Sequence, residues 1–347
     1  MNRDDGTKKI GVLTGGGDCP GINAVIRAVC IKAWKIGADA IGIKDGWAGL
    51  LGDSNTVHLT PDLISGILHR GGTILGTSRT NPMKRDGGMD EVQRSLASLG
   101  IDAIVAIGGD DTLSVAYDLY KRGGKVVGVP KTIDNDLRNT DYTFGFDTAV
   151  QVVTEYLDRL HTTAESHHRA IVVEVMGRHA GWIAMHAGIA GGADFVMIPE
   201  VPFTIEEVCA TVERRRDARG FSILVVAEGA KPQGKMITRD EEKDEFGHVI
   251  LGGVASVIEK EIQERTGVES RSVVLGHAQR GGTPTAYDRV LATRFGVKAV
   301  ELVEKGQWGK MVSLRGAKIG SVDLGKATKK GKFVDSTFYE EAKTFFS

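Results

Sequence analysis

Pro130-Lys131-Thr132-Ile133-Asp134-Asn135-Asp136 sets two carboxylates and an ammonium directly after an apolar run. Asp134 and Asp136 alternate across Asn135, so in extended backbone both would face the same way. One would serve as a general base, while the other positions it or stabilises a metal. Lys131 adds a cation at the same edge. Gly108-Gly109-Asp110-Asp111-Thr112 places two adjacent acids at a strand-to-helix turn. Two acids there repel phosphate unless a cation mediates, which gives Asp110 to Mg²⁺ and the glycines to phosphate. An N-cap and a first-turn acid would use the same residues with no ligand at all. Gly15-Gly16-Gly17-Asp18-Cys19-Pro20-Gly21 opens another helix, where backbone N–H groups can cradle an anion. It is no Walker A loop, because Ile22-Asn23 follow Gly21, and Pro20 breaks the dinucleotide-binding glycine pattern. A structural glycine turn would read the same.

Arg169, Arg178, Arg271 and Arg280 each flank an expected strand. A guanidinium clamps phosphate with two parallel hydrogen bonds. Any one of the four also reads as an ion-pair partner; together they point to a phosphorylated substrate. His277, within Gly276-His-Ala-Gln-Arg280, reads either as a substrate ligand or as a capped core histidine.

The elements that must hold these residues alternate short β-branched runs with amphipathic stretches. Strands are expected at 9–13, 39–43, 104–107, 126–129, 170–175, 195–198, 222–227 and 272–275. Helices are expected at 23–36, 113–121, 146–159, 180–190, 205–216, 249–265 and 286–304. Strand, glycine turn, helix, strand is the unit of a parallel sheet covered by helices on both faces. The fold class is therefore α/β, as two domains of parallel-rich sheets flanked by helices. One domain takes 1–145 plus about 278–328, the other 146–277 plus about 329–347. Ligands of such sheets bind beyond the carboxyl ends of strands, where the motifs above fall. The polar stretch 231–247 reads as a surface loop.

Composition narrows the partners. The chain has 347 residues, 41% hydrophobic and 26% charged, as expected of a globular protein. Its 44 basic and 45 acidic side chains leave a net charge of −1, so no global field recruits nucleic acid or an anionic membrane. No stretch approaches the roughly 20 apolar residues of a membrane span. Three cysteines, with no zinc spacing and no disulfide framework, suit a cytoplasmic location. The 46 glycines are about 13% of the chain, nearly twice the usual share, and they cluster after the apolar runs.

Gly16-Gly17-Asp18 with Pro20-Gly21, Gly108-Gly109-Asp110, Thr132-Ile-Asp134-Asn-Asp136, Met176-Gly-Arg178 and Gly276-His-Ala-Gln-Arg-Gly-Gly282 together resemble the phosphofructokinase family. The similarity runs from about Lys9 to about Val312. It implies phosphoryl transfer to the 1-hydroxyl of fructose 6-phosphate, with Mg²⁺ as cofactor. By the resemblance, Asp134 is the general base and Asp110 the metal ligand. Gly16, Gly17, Arg79 and Gly109 to Thr112 correspond to the donor site, in the 1–145 plus 278–328 domain. Thr132, Ile133, Met176, Gly177, Glu228, His277 and Arg280 correspond to the sugar-phosphate site. Arg178 matches the arginine that stabilises the transferring phosphoryl group. Arg169 and Arg271 match arginines that reach a neighbouring subunit's site, which implies a homodimer or homotetramer with shared active sites.

Two positions depart from the common ATP-dependent pattern, Asp111 and Lys131, each standing where that pattern has glycine. The pair resembles the pyrophosphate-dependent branch. A carboxylate at 111 would project where the α-phosphate of ATP must lie, adding bulk and like charge. An ammonium at 131 would neutralise charge developing on the leaving phosphate. The expected activity is reversible transfer from pyrophosphate to fructose 6-phosphate, in glycolysis and gluconeogenesis. An ATP-dependent or mixed-donor enzyme and a non-catalytic sugar-phosphate sensor are the competing readings; intact Asp110, Asp134 and Arg178 speak against the sensor. The cation cluster that binds phosphorylated effectors in allosteric relatives looks eroded. Arg27 remains, but Ile31 stands one turn on, His161 replaces an arginine, and 218–221 offers one cation. A non-allosteric enzyme is expected.

Overall fold

The computed structural model describes residues 8–233, 253–328 and 331–346. Its strands in chain order are β1 (Lys9–Thr14), β2 (Asp39–Ile43), β3 (Thr56–His58), β4 (Ala103–Gly108), β5 (Val126–Pro130), β6 (Ala170–Val175), β7 (Phe195–Met197), β8 (Ser222–Ala227), β9 (Ser270–Val274), β10 (Lys310–Arg315) and β11 (Lys318–Asp323). The helices are α1 (Ile22–Lys35), α2 (Pro61–Ile64), α3 (Gly88–Ser98), α4 (Asp110–Lys121), α5 (Phe146–His167), α6 (Trp182–Ala190), α7 (Ile205–Arg219), α8 (Val254–Thr266), α9 (Ala286–Glu304), α10 (Leu324–Ala327) and α11 (Ser336–Lys343).

The chain divides into two compact units. One comprises Met1–Ile133, Leu137–Thr148 and Arg280–Lys330; the other Asp134–Asp136, Ala149–Gln279 and Gly331–Ser347. The first holds a seven-stranded sheet in the order β11-β10-β5-β4-β1-β2-β3. Its interior pairs are parallel, and the two edge strands, β3 and β11, run antiparallel. β1, β4 and β5 are buried along nearly their whole length. That is why they read as continuous apolar runs rather than alternating ones. Ala24, Val25, Ala28, Val29 and Ala33 form the buried face of α1, and Gly296 of α9 lies against Ala28 and Val25.

The second unit holds a four-stranded parallel sheet, β7-β8-β6-β9. Val172, Leu224 and Val226 pack with Val208 and Val212 of α7 and Ile258 and Ile262 of α8. α7 starts with a capping box between Thr204 and Glu207 and stops at left-handed Gly220.

β6 and β8 have the expected bounds, as does α9. Several elements differ. α5 continues to His167, eight residues past its expected end; the run after Arg159 is mostly polar, with Leu160 and buried Ala164 alone continuing the apolar face of Val153 and Leu157. α4 begins at Asp110, three residues early. β3, β10, β11, α2, α3, α10 and α11 were not expected; β3, α2 and α10 are only three or four residues long, whereas α3 buries Met89 and Val92 on one face at helical spacing, a period the sequence reading passed over. The helix expected from 249 is described from Val254, its first positions lying outside the described residues, as does most of the loop expected over 231–247.

Candidate active site

In the first unit the motifs gather at the carboxyl ends of β5, β4 and β1, which are neighbours in the sheet. Gly15 N donates to Ile107 O at 3.0 Å, and Lys131 N donates to Gly108 O at 3.0 Å. These bonds align three turns along one edge. Thr112 plugs the space between two of them: a Cβ at Gly15 would come within 2.5 Å of its hydroxyl, and one at Gly108 within 2.3 Å of its Cβ. Glycine at both positions is what lets α4 start so close to the β1 turn. Buried Trp47 supports the same threonine, its Nε1 donating to Thr112 O at 3.3 Å.

Lys131 is buried, and its Nζ donates to Gly17 O. The ammonium is thus fixed against the glycine turn, 3.5 Å from where a Cβ on Gly16 would lie. Arg280, grouped by resemblance with the sugar-phosphate residues, lies in the first unit on this turn. Its Nη1 donates to Asp18 O at 3.4 Å, in space left open by the missing side chain of Gly17. Arg79 is exposed at the end of a loop pinned to the same turn: Gly16 N donates to Ser78 O at 3.0 Å, and Thr77 Oγ1 to Gly16 O at 2.6 Å. Sequence reasoning missed the supporting roles of Thr77, Ser78 and Trp47, which involve no motif of their own.

Asp110 and Asp111 are both exposed in the first turn of α4, whose N-cap is Gly109 without a side-chain cap bond. The N-cap role considered for the first of these acids is therefore not the one it has. Both instead face the positive end of the helix dipole. Among the described residues no group of three or more His, Cys, Asp or Glu side chains could hold a metal by protein ligands alone. The donor set fits a cation that keeps water and phosphate oxygens and takes one carboxylate from the protein, as Mg²⁺ does.

In the second unit the motifs sit at the ends of β8, β6 and β9, again adjacent strands. Glu228 N donates to Val175 O at 2.8 Å, and Gly229 N to Gly177 O at 3.2 Å. Fully buried Gln279 accepts from Met176 N at 3.1 Å and donates to Gly276 O at 3.0 Å. It joins the Met176-Gly177-Arg178 loop to the 3-10 turn Gly276–Arg280, a role its place inside a motif did not disclose. His277 is exposed on that turn, so the core-histidine alternative falls. Arg169 and Arg271 both donate to Glu269 Oε1, each at 2.7 Å. The hydrogen bond from Arg169 holds the Glu269 carboxyl below its ordinary range.

The segment after Lys131 corrects one expectation. β5 ends at Pro130, and Asn135 is left-handed with φ 51°. The backbone is not extended, so Asp134 and Asp136 do not alternate as on a strand. Asn135 is buried while both acids are partly exposed. Asp134 Oδ1 is a buried oxygen, and the residue makes contacts beyond it. Thr132 O accepts from Thr143 Oγ1 at 2.8 Å, and Ile133 is buried beside it.

A family model described as Phosphofructokinase matches residues 9–303. A protein of Amycolatopsis methanolica named pyrophosphate--fructose 6-phosphate 1-phosphotransferase is 60% identical over 341 residues, covering 97% of this chain and 99% of the relative. ATP-dependent 6-phosphofructokinase 3 of Streptomyces coelicolor is 54% identical over 337 residues, covering 96% and 98%. The crystal structure of a pyrophosphate-dependent phosphofructokinase from Marinobacter aquaeolei superposes with a TM-score of 0.82 at 25% identity, over 94% of this chain and 86% of that one.

Proposed function

The chain belongs to the phosphofructokinase family, and from that premise we propose that this phosphotransferase moves a phosphoryl group from pyrophosphate to the 1-hydroxyl of fructose 6-phosphate. The products are fructose 1,6-bisphosphate and phosphate. The observation that carries the donor choice is Asp111, an exposed carboxylate in the first turn of α4, beside the turns that form the donor site. The N-terminus of a helix invites phosphate. A carboxylate there meets a third phosphate with bulk and like charge, whereas pyrophosphate has no third phosphate to place. The name of the 60% identical relative points the same way.

Phosphoryl transfer leaves little covalent work to the protein, so catalysis is positioning and electrostatics. Asp134 accepts the proton of the attacking hydroxyl. Arg178 offers its charge to the transferring group. Lys131, held by Gly17 O, offers its charge to the leaving phosphate, and Arg280 and Arg79 flank the same turn. Asp110 would hold Mg²⁺, which supplies charge neutralisation on the donor oxygens when bound. Met176, Gly177, Glu228 and His277 bind the sugar phosphate. Because a phosphoanhydride is exchanged for a phosphate ester at modest cost, the reaction runs in both directions and serves glycolysis and gluconeogenesis. The enzyme works in the cytoplasm as a homodimer or homotetramer, in which Arg169 and Arg271 reach the neighbouring subunit's site.

Purified protein with fructose 6-phosphate and Mg²⁺, offered pyrophosphate or ATP separately, tests the proposal. A second reading, an ATP-dependent or mixed-donor enzyme, has in its favour the 54% identical relative named for ATP. ATP supporting the faster turnover would replace the first reading with that one.

A further inference from the structure

Residues 331–334 run beside the turn that follows Asp134, and the bonds between them are specific. Lys332 N donates to Asp136 O at 2.6 Å. Lys332 Nζ donates to Asn135 Oδ1 at 2.9 Å. The carbonyl of the same residue accepts from Trp182 Nε1 at 2.9 Å, and its ammonium lies 5.4 Å from the Trp182 ring centroid. Two residues on, Val334 N donates to Glu200 Oε1 at 2.9 Å. The Glu200 carboxylate also accepts Gly181 N, at 3.0 and 3.1 Å. Phe338 of α11 stacks on Trp182 with ring centroids 6.3 Å apart. One side of this segment is thus anchored at the start of α6, while the other grips Asn135 and Asp136.

The gripped residue is the strained one. Asn135 is left-handed, a conformation that asparagine tolerates but few side chains adopt. Its reversal of the backbone decides where the preceding residue, Asp134, points. A hydrogen bond from an ammonium to an amide oxygen is directional and stronger than one between neutral groups, and the Trp182 face holds that ammonium in place.

We propose that residues 331–334 form a strap that aims the Asp134 carboxylate, with Lys332 as its positioning residue. This rests on Asp134 being the base in the function proposed above. Lys332 touches the neighbours of the base and acts through them. The backbone bonds of residue 332 do not involve its side chain, so Lys332→Met removes the ammonium and loosens the turn without undocking the strap.

The test compares wild type, Lys332→Met and Lys332→Arg in kcat, KM for both substrates, melting temperature and amide hydrogen exchange. A misplacement of about 1 Å can cost about 10²-fold in rate. We expect Lys332→Met to lose at least about tenfold in kcat, with KM little changed and exchange accelerated at 132–137 but not in β6 or β8. Lys332→Arg keeps the charge, the donors and a cation to set over the Trp182 ring, so it should recover most of the rate. A Lys332→Met enzyme with wild-type kcat and wild-type exchange at 132–137 overturns the proposal. So does an equal loss in Lys332→Arg that tracks a lowered melting temperature, which is what a merely structural strap would give. Absence of turnover in the wild type with either donor would instead defeat the functional reading, and hydrogen exchange would still report on the strap.

Discussion

Replacing Asp134 with asparagine keeps the side chain's shape and removes its capacity to take a proton. General bases contribute about 10²–10⁴-fold, so Asp134→Asn should lower kcat by at least the smaller factor with modest change in KM. A near-normal kcat, measured by initial rates at saturating substrates, would move the base elsewhere, with Asp136 next in line. The two acids were legible as a pair from their spacing, but their relative orientation was not. The reading assumed extended backbone, and the left-handed Asn135 broke that assumption. Thr112 seated against Gly15 and Gly108 was found as part of a motif, but its packing role was not. Gln279 and Lys332 were not found as positioning groups. Each acts on a residue more than a hundred positions away in the chain, a relation no local pattern carries.

Two helix starts share one buried network, and its titration makes a prediction about stability. Asp288, in the first turn of α9, is fully buried. Its Oδ2 accepts from Thr148 N at 2.8 Å and Thr148 Oγ1 at 2.6 Å, near the start of α5. Thr285, the N-cap of α9, in turn donates its hydroxyl to Asp147 at 2.6 Å. Burial pushes the Asp288 carboxyl up from 3.8 to about 6, against the opposing hydrogen bonds from Thr148. The folded state therefore binds this proton more tightly than the unfolded chain does. The stability that Asp288 contributes is present below about pH 4 and lost as pH rises to about 6, a loss on the order of 2–3 kcal/mol. An asparagine oxygen can keep both Thr148 bonds without the charge. Asp288→Asn should match wild type near pH 4 and exceed it at pH 7.5 in urea midpoint; a variant weaker at both pH values would contradict the argument. At this scale the buried strands were easy to read, since β6 and β8 are unbroken β-branched runs. β10 and β11 were not. β10 lies inside the sheet and is buried from Met311 to Leu314, but it starts on Lys310, carries Ser313 and ends on Arg315; edge strand β11 has no buried residue, so neither presents the unbroken apolar run of β6 and β8.

Whole-molecule behaviour depends on which donor is accepted and on whether effectors are sensed. A multiply charged effector needs several cations to offset its desolvation. Arg27 is half-buried on α1, with Ile31 one turn on. His161 is already occupied: its Nε2 lies 2.7 Å from Gly191 O, and its ring meets Phe221 edge-on at 6.0 Å. Rate against fructose 6-phosphate should be hyperbolic, with neither activation by ADP nor inhibition by phosphoenolpyruvate at millimolar levels. A sigmoidal curve that ADP makes hyperbolic would contradict this. That the chain builds two sheets was visible in the strand-and-helix pattern repeated along its two halves. The assignment of Asp134–Asp136 to the second unit was not, because it follows from three-dimensional contacts near a chain crossing. The most direct test of the central claim is kcat/KM for pyrophosphate and for ATP, measured at saturating fructose 6-phosphate and Mg²⁺ on the wild type and on Asp111→Gly. Pyrophosphate should be strongly preferred by the wild type, and Asp111→Gly should gain ATP use as bulk and charge leave the start of α4. A wild type with the higher kcat/KM for ATP would contradict the account.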